Sequence, residues 1–169
     1  TAGLNYLGKD TTLYKKYYTL KSSEIVNPWD RLVSVCDILN NTPSDQLEEK
    51  IKKVLDLDRT LWFLASEIAF SDDDSYIYKG KMDYYLYYDV VSGKMTPQEF
   101  DGNSVMGARA NTWPLFYNAE KVNYPLLNKL LQIPSIRQRY IAHMKTLINE
   151  EMDTSRFNSL IRQTDALIG

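Results

Sequence analysis

One cysteine, one histidine and seven glycines in 169 residues leave several chemistries without their parts. A lone Cys36 excludes an internal disulfide and any cysteine-based zinc cluster. On the apolar stripe of a helix it reads as a small core residue. A Ser–His–Asp or Cys–His system would have to use His143. That residue falls inside a strong helical pattern between Ala142 and Met144, far along the chain from any candidate nucleophile, so it reads as structural. No Walker-type glycine loop and no G-x-G-x-x-G occurs, so no sequence motif offers backbone amides to a phosphate chain. Asp72–Asp74 lacks the later ligand positions and the glycine of an EF-hand loop. No apolar run approaches the roughly 20 residues of a membrane-spanning helix. The 20 bases and 22 acids leave a formal net charge of −2, which gives no electrostatic case for nucleic acid or an anionic membrane.

What is present suits a folded chain: 44% hydrophobic and 25% charged residues predict one globular domain over 1–169 with a sizeable core. The segment from Thr1, a start that reads as processed or trimmed, to Val26 shows no clear period and predicts extended or irregular structure. Asn27-Pro28 then supplies a cap and first turn for a helix with Leu32, Val35, Cys36 and Leu39 at helical spacing. Thr42-Pro43-Ser44-Asp45 has the form of a capping box before a second stripe of Leu47, Ile51, Val54 and Leu55. A third helix, from about Asp58 to Phe70, has the wide apolar face of a central element.

Thirteen tyrosines gather mainly at Tyr14–Tyr18 and Tyr76–Tyr88, and Asp83–Asp89, DYYLYYD, suits a pleated strand. With a turn at Val91–Lys94 and a return over Met95–Phe100, it predicts a hairpin whose tyrosines bury their rings and keep their hydroxyls wet. Residues 101–122 read as irregular, and apolar periodicity predicts helices again over Pro125–Gln132, Pro134 to about Glu151, and from Asp153 or Thr154 to Leu167. The expected class is α+β, predominantly helical, with a central β-hairpin.

The acids around this hairpin are the main chemical feature. Asp72, Asp73 and Asp74 precede the first strand, Asp83 opens it and Asp101 follows the second. A hairpin returns its end near its start, so Asp83 and Asp101 are expected close together, with Asp74 in reach. On spacing alone, solvated loop acids are the plainer reading. Convergent hard oxygens would suit Mg2+ or Mn2+, particularly with phosphate oxygens completing the shell. A glycosidase-like acid pair has nothing to fix its separation.

The order of segments resembles that of CotH (spore coat protein H) kinases. Tyr6-Leu7-Gly8 with Tyr18-Thr19-Leu20-Lys21 is similar to the YLG…YELK stretch, and Trp29-Asp30-Arg31-Leu32 with Leu39-Asn40-Asn41-Thr42-Pro43 to the W-x-x-L and L-N-x-T-P run. Leu55–Asp58 and Leu61–Ala65 resemble L-D-V-D…L-W-F-L-A, Asp73–Tyr76 resembles D-D-G-Y, and Asp83–Tyr87 resembles D-Y-Y-L-Y. Phe100–Asn103 resembles H-D-x-N, and Pro125–Leu127 through Arg137–His143 matches the closing P-L-L…R-x-R-Y-L-A-H helices.

The resemblance implies a protein-kinase-like C-lobe and an atypical ATP-dependent serine kinase acting on coat or secreted proteins. In it Asp101 holds Mg2+ or Mn2+ on the nucleotide phosphates. Asp74 orients the acceptor hydroxyl, a role open to Asp72 or Asp73 as well. Asp83 is a second metal ligand, and Asn103 stands where a further metal-ligating aspartate is usual. It also implies an extracytoplasmic, cell-surface or spore-coat location. The amino-terminal lobe of such kinases, with its lysine and nucleotide-covering strands, has no counterpart in this sequence, so activity of these residues alone is expected to be weak or nil. The alternative is a non-catalytic coat or cell-surface assembly module with the same fold. A third class, a carbohydrate-binding or hydrolytic domain using Tyr and Asp, has no positive sign in the sequence.

Overall fold

Apolar periodicity becomes structure at most of the expected places. The computed structural model describes residues 2–79, 81–107 and 113–168, of which the expected irregular stretch 101–122 loses 108–112. The elements run α1 (Thr11–Tyr14), α2 (Pro28–Asn41), α3 (Ser44–Ile51), α4 (Leu57–Ala69), β1 (Tyr84–Asp89), β2 (Lys94–Glu99), α5 (Pro125–Leu130), α6 (Pro134–Thr146) and α7 (Thr154–Ile168). About half the chain is helical and the sheet has two antiparallel strands, which is the expected α+β class.

Helix α4 is central because Leu61, Leu64 and Ala65 give it an apolar face with no solvent exposure. It packs against α6 on one side and β2 on another. Asp56 caps it by accepting the Arg59 amide at 3.1 Å. Strand β2 is stitched to the chain entering α4, since Met95 N–H donates to Val54 and Asp56 N–H to the Met95 carbonyl, both at 2.8 Å. In the hairpin Tyr84 faces Glu99 and Asp89 faces Lys94, so the register brings the acids at its open end together. Cys36 sits in the core without solvent exposure, as expected, and burial pushes its thiol up to about 12.

Three local expectations are corrected. Asn27 precedes α2 as foreseen, but in the left-handed region with φ 56°, and its side chain does not cap. Thr42 and Asp45 form no capping box, because Pro43 occupies the cap position of α3 and offers no side-chain acceptor. The first 26 residues include the one-turn helix α1, which Asp10 caps through Thr12 N–H at 2.9 Å.

The tyrosine reading is also revised. Tyr85 and Tyr87 keep one face of β1 exposed, but Tyr76 is fully buried with its hydroxyl dry. Tyr76 Oη donates to the Gly3 carbonyl and accepts from Leu126 N–H, each at 3.1 Å. The hydroxyls of Tyr18 and Tyr14 accept from Leu4 and Leu7 N–H at 2.9 Å, and Tyr84 Oη donates to the Ala2 carbonyl. These hydroxyls satisfy backbone groups of an irregular segment, residues 2–8, that pairs with no strand among the described residues.

Candidate functional site

After α4 the chain turns sharply, and this turn carries the first acids. Ser71 has φ 51°, and Asp72 N–H returns to the Glu67 carbonyl at 3.0 Å. The turn is pinned to the loop beyond the hairpin, for Met106 N–H donates to the Phe70 carbonyl at 2.7 Å. The hairpin closes on itself where Phe100 N–H donates to the Asp83 carbonyl at 3.2 Å. Sequence separation of about thirty residues is thereby folded into one place.

The five sequence-nominated acids near that place behave differently. Asp73 is drawn outward into an ion pair with Lys79 at 3.1 Å. Asp72 is 6% exposed, and its Oδ1 accepts the Asp74 amide at 3.1 Å. Burial raises its pKa, with the neighbouring charges of Asp73, Asp74 and Asp83 adding to the rise against that amide. Asp83 is likewise raised, first by desolvation and then by the charges of Asp74 and Asp101. Asp83 therefore feels the charges of both Asp74 and Asp101. Asp74 leaves its Oδ1 buried and without a hydrogen-bond partner among the described residues. Asn103 behaves otherwise: it is exposed in a short 3-10 turn, Gly102–Ser104, and its Oδ1 accepts the Ser104 hydroxyl at 3.1 Å.

A cleft of about 200 Å³ opens beside these acids, lined among others by Glu67, Asp72, Glu99 and Asp101 with Phe70 and Phe100. Glu67 is the residue that sequence reasoning missed. It is 3% exposed, and its Oε2 has no hydrogen-bond partner. Burial pushes its carboxyl up to about 8, a Ser75 hydroxyl opposes this, and the charges of Asp72 and Glu99 reinforce it. The signal was available in the periodicity: position 67 follows Thr60 and Phe63 on a buried face of α4, where an acid is out of place. Glu99 was missed too, and it accepts the Ser66 hydroxyl at 2.5 Å.

Backbone conformation marks the same region. Ser71, Lys81, Asp83, Asp101 and Met106 all adopt positive φ between 49° and 58°. Non-glycine residues enter the left-handed region at a cost, and clusters of them collect where a loop must hold a functional geometry.

Hard carboxylate oxygens in a shared negative field, one of them orphaned, have the donor chemistry of a magnesium or manganese site. Among the described residues, however, no three acidic, histidine or cysteine side chains converge closely enough to hold an ion by themselves. Phosphate oxygens would have to complete the shell, as they do in nucleotide-bound sites.

No helix among the described residues is long and apolar enough to cross a membrane. No curated protein matches the chain. The family model described as CotH kinase protein matches residues 3–169, which takes in the turn after α4, the hairpin and the closing helices alike. The chain belongs to the CotH kinase family.

Proposed function

We propose that this chain is the metal-binding catalytic lobe of an atypical ATP-dependent protein kinase, with a protein-kinase-like C-lobe fold, that phosphorylates serine in coat or secreted proteins outside the cytoplasm. The observation that supports the reading is the closure of the hairpin's two ends, with Phe100 N–H on the Asp83 carbonyl at 3.2 Å, which sets Asp83 beside the Phe100-Asp101 turn in a chain of this family. Asp101 and Asp83 would hold Mg2+ or Mn2+ against the nucleotide phosphates, with Asn103 available from the adjoining turn. When bound, the ion neutralises charge developing on the phosphoryl oxygens. Asp74 orients the acceptor hydroxyl, and its buried, unpartnered Oδ1 is an acceptor waiting for a proton donor. The role falls to Asp74 rather than Asp73, because Lys79 already engages Asp73. Asp72 supports it by accepting the Asp74 amide.

Carboxylates without basic neighbours repel phosphate. Tight nucleotide binding and full activity accordingly need cationic groups set around the phosphates. One observation favours the second reading, a non-catalytic coat or cell-surface assembly module: the Asn103 side-chain oxygen is already occupied by the Ser104 hydroxyl.

Calorimetric titration of the chain with ATP and Mg2+ or Mn2+ tests the proposal. Metal-dependent binding that disappears in Asp101→Ala is the expected result. Binding that ignores the metal, or survives the substitution, would remove Asp101 from the role and favour the assembly reading.

A further inference from the structure

The cleft beside Asp101 has a composition that the metal site does not use up. Four carboxyl groups line it, from Glu67, Asp72, Glu99 and Asp101, and among the described residues no lysine, arginine or histidine lines it. The nearest basic residue along the acidic turn, Lys79, is occupied by Asp73. At the base is Glu67, 97% buried, with an oxygen that no group in the described structure satisfies. Leaving a buried carboxyl oxygen unpaired costs free energy, so its persistence points to something the cleft receives.

The spread of the acids decides what that something is. A metal ion needs several oxygens on one point, and no three acids here converge in that way. The cleft, at about 200 Å³, is also larger than an ion, and Phe70, Phe100 and Val105 make part of its wall. Phe100 is 45% exposed, with its ring centroid 4.6 Å from that of Tyr85, so an aromatic face stands at the rim. Acids around a volume with an aromatic and aliphatic wall fit a cation that carries a carbon stem. Its head meets the carboxylates while its methylenes lie on the apolar side.

We propose that this cleft is a subsite for an ammonium or guanidinium group, supplied by a lysine or arginine of the protein substrate close to the acceptor hydroxyl. The identity of the supplier rests on the kinase reading above; the affinity for an organic cation does not. Glu99 meets the charge from the end of β2, the unpartnered Glu67 oxygen accepts a hydrogen bond from the cation, and Phe100 covers the stem.

The test is a chemical-shift titration of the 15N-labelled chain with methylguanidinium, with methylurea as a neutral control of the same shape. Saturable shifts at Glu67, Glu99 and Phe100 with methylguanidinium and none with methylurea are expected. Glu67→Leu and Glu99→Gln should each weaken the binding about tenfold. Because the wild-type comparison of charged and neutral probe needs no variant, a folding defect in either substitution leaves the test intact. A serine peptide carrying one arginine should bind about tenfold tighter than its alanine counterpart, whereas spermidine matching the arginine peptide would assign the site to a free polyamine instead. Equal shifts from both organic probes, or none from methylguanidinium, would overturn the subsite. Methylguanidinium binding without metal–ATP binding would sink the kinase reading and keep the subsite; the converse pattern would do the opposite.

Discussion

Glu67 is an acid placed where an acid is least comfortable, and its titration makes that discomfort measurable. In the unfolded chain it would ionise near its ordinary 4.5, whereas burial holds the folded form protonated up to about 8. Below pH 4.5 both states carry the proton and nothing is lost. Between the two values the unfolded state has shed a proton that the folded state still holds, so stability falls as pH rises and then levels off. Glu67→Gln, which cannot ionise, should therefore change little at pH 4 and stabilise the fold at pH 9 by on the order of a few kcal/mol. Thermal melts of both proteins at the two pH values check this. Destabilisation of equal size at both would mean that an ionised, well-partnered carboxylate had been removed. Sequence reading placed Asp74, Asp83 and Asp101 in one neighbourhood because a hairpin brings its ends together, a purely geometric inference. It missed Glu67 because its attention was on loop acids, while the telling feature was an acid on a helix's buried face.

Helices α4 and α6 are joined at their solvent edge by a small polar tie. Asp58 accepts from Arg139 at 2.9 Å and lies 3.1 Å from His143 Nε2, while the His143 ring stacks on Trp62 with centroids 4.1 Å apart. Burial works to raise the Asp58 pKa, but the hydrogen bonds from Arg139 and His143 and their charge outweigh it and hold it below 3.8. A lowered acid contributes stability above its ordinary pKa and loses it as pH falls through the lowered value. Asp58 is about half exposed, so water screens the tie. Asp58→Asn should cost about 0.5–1 kcal/mol at pH 6, and the difference should shrink toward pH 2 or in high salt. Denaturant melts across pH would show it. A cost that persists unchanged in acid would assign the effect to packing. At this scale the sequence was a good guide, because helices and hairpin follow from apolar period and strand composition. It misled at α2 and α3, where Asn27 and Thr42 have capping chemistry but the chain's path denies their side chains the helix amides.

Across the whole molecule, residues 2–8 are held by side chains drawn from four distant places. Tyr14, Tyr18, Tyr76 and Tyr84 supply hydroxyls, and Asn40 donates to the Leu4 carbonyl at 2.8 Å. The approach is close: a Cβ on Gly3 would meet Lys81 Cδ at 2.6 Å. Lys81 itself buries its stem and sets its ammonium 4.1 Å from the Tyr124 ring centroid. Tyr76→Phe should cost about 2–3 kcal/mol, since it strands both the Gly3 carbonyl and the Leu126 amide in a dry site. Hydrogen exchange should show the loss at Leu4 and Leu126 together; a change confined to one of them would refute a shared anchor. No periodicity announces such anchoring, because it depends on where a hydroxyl ends up rather than on how residues repeat.

Cys36, enclosed on every side by α2 and its neighbours, gives the molecule a built-in clock. A thiol with no exposure and a pKa near 12 offers an alkylating reagent neither access nor thiolate while the core stays shut. Its modification should be very slow in buffer and should accelerate with denaturant in step with unfolding, so one mass measurement over time reports how often the whole core opens. Fast labelling of a natively folded sample would mean that the core opens near α2 far more often than the rest of the fold. With no second thiol in the sequence, every added mass unit from such a reagent reports on this one event.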